Sequence, residues 1–269
     1  EGTSRTGLSN SGANISRFGF RGTEDLGGGL AAGFWLEAGF SPDSGAVNAG
    51  FNRRATVSLL RPWGEVRLGR DDSATFLNTL LFDPFLTNGV GGTNTFAMNG
   101  APTIQIGDAI SYLTPPGLGG FYGQVQHAFS ERLNTDPTVG GEYNGARLGY
   151  RNGGLHAAVS FAKLQGLTQN QDQRFRNLGL SYDFGVVQPM LLWASHKRGD
   201  VEVRGLQLGV KVPVGPGEIR ASVARYDTRG SDADWRKFAL GYGHNLSKRT
   251  QVYGTVARLN NSKGSSRAI

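Results

Sequence analysis

The residues with the most directed chemistry in this sequence are arginines at alternate positions of short segments. Arg17 and Arg21 stand in NISRFGFRG, Arg54 in NRRATVSLL and Arg67 in EVRLGR. Side chains of an extended chain alternate between two faces. The arginines therefore oppose an apolar face made of Phe18 and Phe20, of Val57 and Leu59, and of Val66 and Leu68. A guanidinium keeps its charge throughout the physiological range and presents five N–H donors. Placed on neighbouring strands, such groups form successive stations for small anions. Arg53 falls out of phase with Arg54, and a local bulge would exchange the two. Glu37 and Glu65 share the arginine face, so a second reading stays open, in which the arginines serve to neutralise them. Asp83, in FDPF, is the carboxylate expected to face this wall; a plain turn residue before Pro84 is its other reading.

Other chemistry is thinly supported. His127, His156, His196 and His244 lie on four separate segments without metal-ligand spacing. Ser160 and Ser195 stand near histidines, but no base with its orienting group can be assigned. GVGG and DLGGG lack the strand–loop–helix context of a phosphate cradle. Cysteine is absent, which removes thiolate sites and disulfides. No cofactor, no metal and no enzymatic activity are expected. The formal charge of +7 comes from basic residues spread singly along the chain, with no basic tail or helix. Nucleic acid is therefore not an expected partner.

The elements that must hold the arginines are strands. The sequence divides into about fourteen alternating segments, with short turns and longer polar loops taking turns between them. No segment holds a helical period, and no run nears the roughly 18 apolar residues of a membrane helix. The face opposite the apolar one is repeatedly Gly, Ser, Thr, Gln or Arg, which suits a wet lumen better than a packed sandwich core. The expected class is all-β: a transmembrane antiparallel barrel forming a single domain over residues 1–269. Trp35, Trp63, Tyr112, Tyr150, Tyr182, Trp193, Tyr226, Trp235 and Tyr253 are candidates for interfacial girdles. The alternation stops only between Asp71 and Gly107. Phe76, Leu77, Leu80, Leu81, Phe82, Phe85, Leu86 and Phe96 make that stretch too apolar for a solvated linker. It reads as a loop folded into the barrel, with helix at most in short pieces.

The segments SRFGFRGTEDLGGGLAAGFWLEAGF, NRRATVSL, GEVRLGRD, AISYLTP and GYGHNLSKRTQVYG resemble the general trimeric porins of β-proteobacterial outer membranes, above all their anion-selective branch. The likeness covers essentially the whole chain. It implies a barrel of about sixteen strands, a third external loop bent into the pore (here 71–107), a homotrimer, an outer-membrane lipid environment and passage of small anions and other hydrophilic solutes. It also implies three constriction arginines: Arg17 and the Arg53/Arg54 pair match two positions, and Gln105 occupies the third, which should weaken anion preference. Relative to that pattern the sequence lacks a strand at each end, so a fragment is expected. A substrate-specific channel is the alternative within transport, but it would show an aromatic track, and Trp35 is the one Trp assignable to the lumen. A barrel hydrolase or adhesin is the more distant alternative.

Overall fold

The computed structural model describes residues 7, 10–47, 50–93, 104–130, 141–166, 171–262, 264, 265 and 267. Its strands are β1 (Arg17–Gly27), β2 (Leu30–Ser41), the two-residue β3 (Ala46–Val47), β4 (Arg54–Arg61), β5 (Gly64–Asp72), β6 (Gln105–Leu113), β7 (Phe121–Ala128), β8 (Tyr143–Asn152), β9 (Leu155–Leu164), β10 (Gln173–Tyr182), β11 (Gln188–Arg198), β12 (Val201–Val214), β13 (Gly217–Thr228), β14 (Trp235–Asn245) and β15 (Gln251–Asn261). One helix occurs among the described residues, α1 (Ala74–Leu81), directly after β5.

Each strand pairs antiparallel with its successor, except that β3 folds back on β2 and β2 goes on to β4. The order runs from β1 to β15, and among the described residues those two do not pair with each other. The sheet nevertheless curls round. An added Cβ at Gly12, ahead of β1, would lie 2.5 Å from the Tyr253 hydroxyl of β15.

Alternation decides which face meets which medium. Phe20, Val57, Leu148, Phe161 and Leu208 are each more than half exposed, on the outside of the curl. Gln124, Gln126, Ser160, Asn177, Gln207 and Ser222 are buried on the inside. A sheet with its large apolar side chains outward and its amides and hydroxyls inward is built for lipid outside and a polar interior. Short turns gather at one rim, among them Gly28–Gly29 between β1 and β2, where φ of +59° and +73° calls for glycine. Aromatic rings cluster near the same rim: Trp63 on Tyr112 (6.2 Å), Phe121 on Tyr150 (4.8 Å) and Tyr182 on Phe184 (4.5 Å).

Three expectations need correction. Trp35, Tyr226, Trp235 and Tyr253 are not girdle residues: they have inward parity, and Tyr226 and Trp235 stack at 5.0 Å in full burial. TEDLGGG reads as a tight turn, but β1 continues through its first five residues to Gly27. β5 runs on to Asp72, and β6 starts at Gln105. A register shift between Gly69 and Asp71 carries β5 past the point where its simple alternation breaks. The connection from β5 to β6 is therefore 73–104, of which residues 94–103, Phe96 among them, lie outside the described residues.

Candidate functional site

The inner faces of β1, β2, β4 and β5 come into register around Trp35. Arg21 stands opposite Trp35, Trp35 opposite Thr56, Glu37 opposite Arg54, and Ser58 opposite Arg67. The guanidiniums of Arg54 and Arg21 lie over the Trp35 ring, 4.2 Å and 5.2 Å from its centre. An indole face attracts such cations and keeps them in place. Arg53 precedes β4, where its N–H donates to the Glu37 carbonyl (3.1 Å) and its Nε to the Glu37 carboxylate (2.7 Å). Arg53 and Arg54 thus both turn inward at a single partner position, which simple alternation could not reveal.

Each carboxylate on this wall has a partner. Arg67 clamps Glu65 through two bonds of 2.8 and 2.9 Å and reaches Asp71 as well. Ser58 adds a hydroxyl to Glu65 at 2.7 Å. Asp71 lies 3.6 Å from Arg54, and Asp72 accepts the Gln105 amide at 2.8 Å. Charge neutralisation therefore describes Arg53 with Glu37 and Arg67 with Glu65. Arg17 reaches the same Glu37 only at 3.8 Å and is 40% exposed, and Arg21 makes no ion pair among the described residues.

Across the interior lies the segment after β5. Ser73 caps α1 by accepting the Phe76 N–H (3.1 Å). Asn177 of β10 then anchors the helix, donating to the Thr75 carbonyl (2.9 Å) while its own carbonyl accepts from Asn78 (2.6 Å) and Ser160 (2.5 Å). Beyond α1 the chain crosses β10, β12 and β14 on glycines. A methyl group at Gly179 would collide with the Phe82 ring; one at Gly209 would lie 2.7 Å from Pro84, and one at Gly241 2.9 Å from Phe85. Lys237 of β14 donates its ammonium to the Gly92 carbonyl at 2.5 Å.

Asp83 sits at the centre of this crossing and does not face the arginine wall. Its carboxylate is fully buried. It accepts from the backbone N–H groups of Phe85 (3.1 Å), Thr87 (2.8 Å) and Thr93 (2.9 Å), the Thr93 hydroxyl (3.1 Å) and the Gln207 amide (3.1 Å). The turn reading is the correct one, extended by a tie to β12. A carboxylate that accepts several donors organises a loop that would otherwise bury unpaired N–H groups.

Between wall and crossing segment is a cavity of 480 Å³, with Arg17, Arg53, Asp72 and Gln105 on one side and Thr75 and Thr79 of α1 on the other. Arg17, Arg53 and Gln105 are thus brought to one opening. Arg21, Arg54, Arg67, Glu37, Glu65 and Asp83 do not line it. Sequence reasoning missed Asp71, Asp72 and Arg147. Arg147 stands over Tyr122 (5.2 Å) with its Nε unbonded, inward in register with Gln124 and Ser160. Its alternation with Gly145 and Gly149 was the available signal.

Ser160 and Ser195 each donate to a partner other than histidine. Ser195 donates to Glu202 (2.8 Å) on the outer face, while neighbouring His196 bonds Gln173 (3.0 Å) inside. Ser160 is tied to Asn177, and His156 meets the Tyr122 hydroxyl at 2.8 Å. Among the described residues no three His, Asp or Glu side chains converge as a metal site.

Residues 1–264 match the model of the Gram-negative porin family. The sequence is 42% identical over 283 residues to outer membrane porin protein 32 of Delftia acidovorans, covering 98% of this chain and 80% of that protein. It is 31% identical over 305 residues to an outer membrane porin protein of Bordetella pertussis, covering 93% and 78%. Its structure superposes on the anion-selective porin from Comamonas acidovorans with a TM-score of 0.86 and 41% identity, over 96% of this chain and 82% of that one.

Proposed function

The chain belongs to the Gram-negative porin family, and from that premise we propose that it is a passive outer-membrane diffusion channel for small hydrophilic solutes with a preference for anions. One observation carries the preference: Arg17, 40% exposed and 3.8 Å from Glu37, stands at the cavity, while Arg53 beside it holds the Glu37 carboxylate. An anion entering there meets positive charge on a water-filled path. Gln105 supports a moderate preference, because it donates to Asp72 without adding charge.

The whole chain is one barrel domain in this reading, and the segment after β5 is its constriction loop. No catalytic step is needed and no cofactor takes part. A homotrimer fits the uncharged outer positions of the first strands, where Phe18, Phe20, Phe34 and Val57 are exposed and apolar. The test is a zero-current potential in a planar bilayer under a KCl gradient, run beside liposome swelling with a small neutral sugar. A chloride-favouring sign together with sugar entry supports the reading. Cation preference would refute the arginine wall, and absence of conductance would refute the channel.

A further inference from the structure

The outer surface holds a second set of cations that the channel does not use. Near the long-loop rim, where apolar outward residues give way to polar ones, consecutive strands place basic side chains outward. Register fixes them. Lys163 of β9 stands opposite Arg174 of β10, and Arg174 opposite Lys197 of β11. Arg176 stands opposite Ser195, and Ser195 opposite Arg204 of β12. Arg225 of β13 stands opposite Arg236 of β14, and Arg258 of β15 opposite Phe238. One step toward the short-turn rim the outward residues are apolar: Phe161, Leu178, Trp193, Leu206, Val223 and Val256, all substantially exposed. The line climbs from strand to strand as tilted strands require when they cross a flat boundary.

Some of these charges are answered within the chain. Lys163 binds Asp172 at 2.8 Å, and that hydrogen bond holds the Asp172 carboxyl below the ordinary carboxylate range. Arg204 pairs with Glu202 and Arg225 with Asp227. Arg176, Lys197, Arg236 and Arg258 make no ion pair among the described residues. Arg174 beside Lys197 and Arg225 beside Arg236 set like charges directly opposite, an arrangement that costs stability unless an anion lies between them. The early strands differ: Phe18, Leu36, Ala55 and Ile110 hold the outward positions of β1, β2, β4 and β6, and Arg70 of β5, opposite Ala55, donates to the Asn52 carbonyl.

We propose that this outward belt on β9–β15 is a docking surface for the phosphorylated headgroups of the lipids around the long-loop rim, with a phosphate bridging each like-charged cross-strand pair. Apolar residues directly below would meet the acyl chains of the same lipids. Paired guanidiniums match phosphate oxygens. The proposal rests on the outer-membrane reading, but it has its own readout.

The folded channel in detergent would be titrated with phosphatidic acid, with phosphatidylcholine and with inorganic phosphate, and the bound lipids counted by native mass spectrometry. Each basic residue near an anionic lipid surface contributes about fivefold in affinity. The triple variant Lys197→Gln, Arg236→Gln, Arg258→Gln should therefore bind phosphatidic acid about 100-fold more weakly. Its phosphatidylcholine binding and zero-current potential should not change. Arg236→Gln alone should bind about fivefold more weakly, yet melt no lower than the parent in lipid-free detergent, because a like-charge contact is relieved. Unchanged phosphatidic acid binding in the triple variant would overturn the proposal. So would displacement of the lipid by equimolar inorganic phosphate, which would make the belt a free-anion site. Loss of conductance in the parent would instead count against the channel reading.

Discussion

The two inner walls share one alternation and fill it with opposite residues. On β1, β4 and β5 the inward positions carry Arg17, Arg21, Arg54 and Arg67; on β10, β12 and β14 they carry Gly179, Gly209 and Gly241. The first wall keeps its side chains and leaves room in front of them. The second removes its side chains so that Phe82, Pro84 and Phe85 can lie on the backbone. Charge selection and bore width thus rest on separate residues. Each should change without the other.

The largest effect is expected from Asp83→Ala. It leaves the buried N–H groups of Phe85, Thr87 and Thr93 and the Gln207 amide without their acceptor. Each orphaned group costs about 1–3 kcal/mol, enough to release the crossing segment. Single-channel conductance should rise while the chloride-to-potassium permeability ratio stays within about twofold; a conductance equal to the parent's would break the division between walls. Lys237→Met should act the same way more weakly. It removes one charge-assisted bond to Gly92, worth about 1.5–3 kcal/mol, and faster proteolysis of the segment would report it.

On the other wall, Gln105→Arg puts a cation beside Asp72 at the cavity. A charge at about 4 Å acts with about 1 kcal/mol in water, so chloride preference should rise up to about fivefold, read from reversal potentials. An unchanged ratio would mean that ions do not pass Gln105. The smallest effect sharpens the same contrast. Because arginine holds its proton, the ratio should be flat between about pH 6 and about pH 9, and a clear fall toward alkaline pH would show that groups other than these arginines carry the preference.

Much of the first wall was legible in the sequence, because strand parity alone assigns Arg17, Arg21, Arg54 and Arg67 to one face. The strand set was legible for the same reason: alternation in LHAAVSFAKL and WRKFALGYGHN predicts strands over 155–164 and 235–245, the bounds of β9 and β14. Arg53 was left undecided because its inward turn depends on a backbone bond to Glu37 across the sheet. The choice between the two readings of Asp83 stayed open because its partners Thr93 and Gln207 are distant in the chain. A lone DP dipeptide is equally consistent with a turn or a displayed charge. The glycine seats were invisible for a related reason: what makes Gly179 necessary is Phe82, nearly a hundred residues earlier in the chain.

The most direct measurement is the zero-current potential of the Arg17→Gln, Arg53→Gln double variant beside its parent, in one bilayer system under one KCl gradient. The chloride-to-potassium ratio should fall at least about fivefold, because Arg17 leaves the cavity and Glu37 loses its partner, with conductance little changed. A ratio equal to the parent's would contradict the claim that this wall selects the ions.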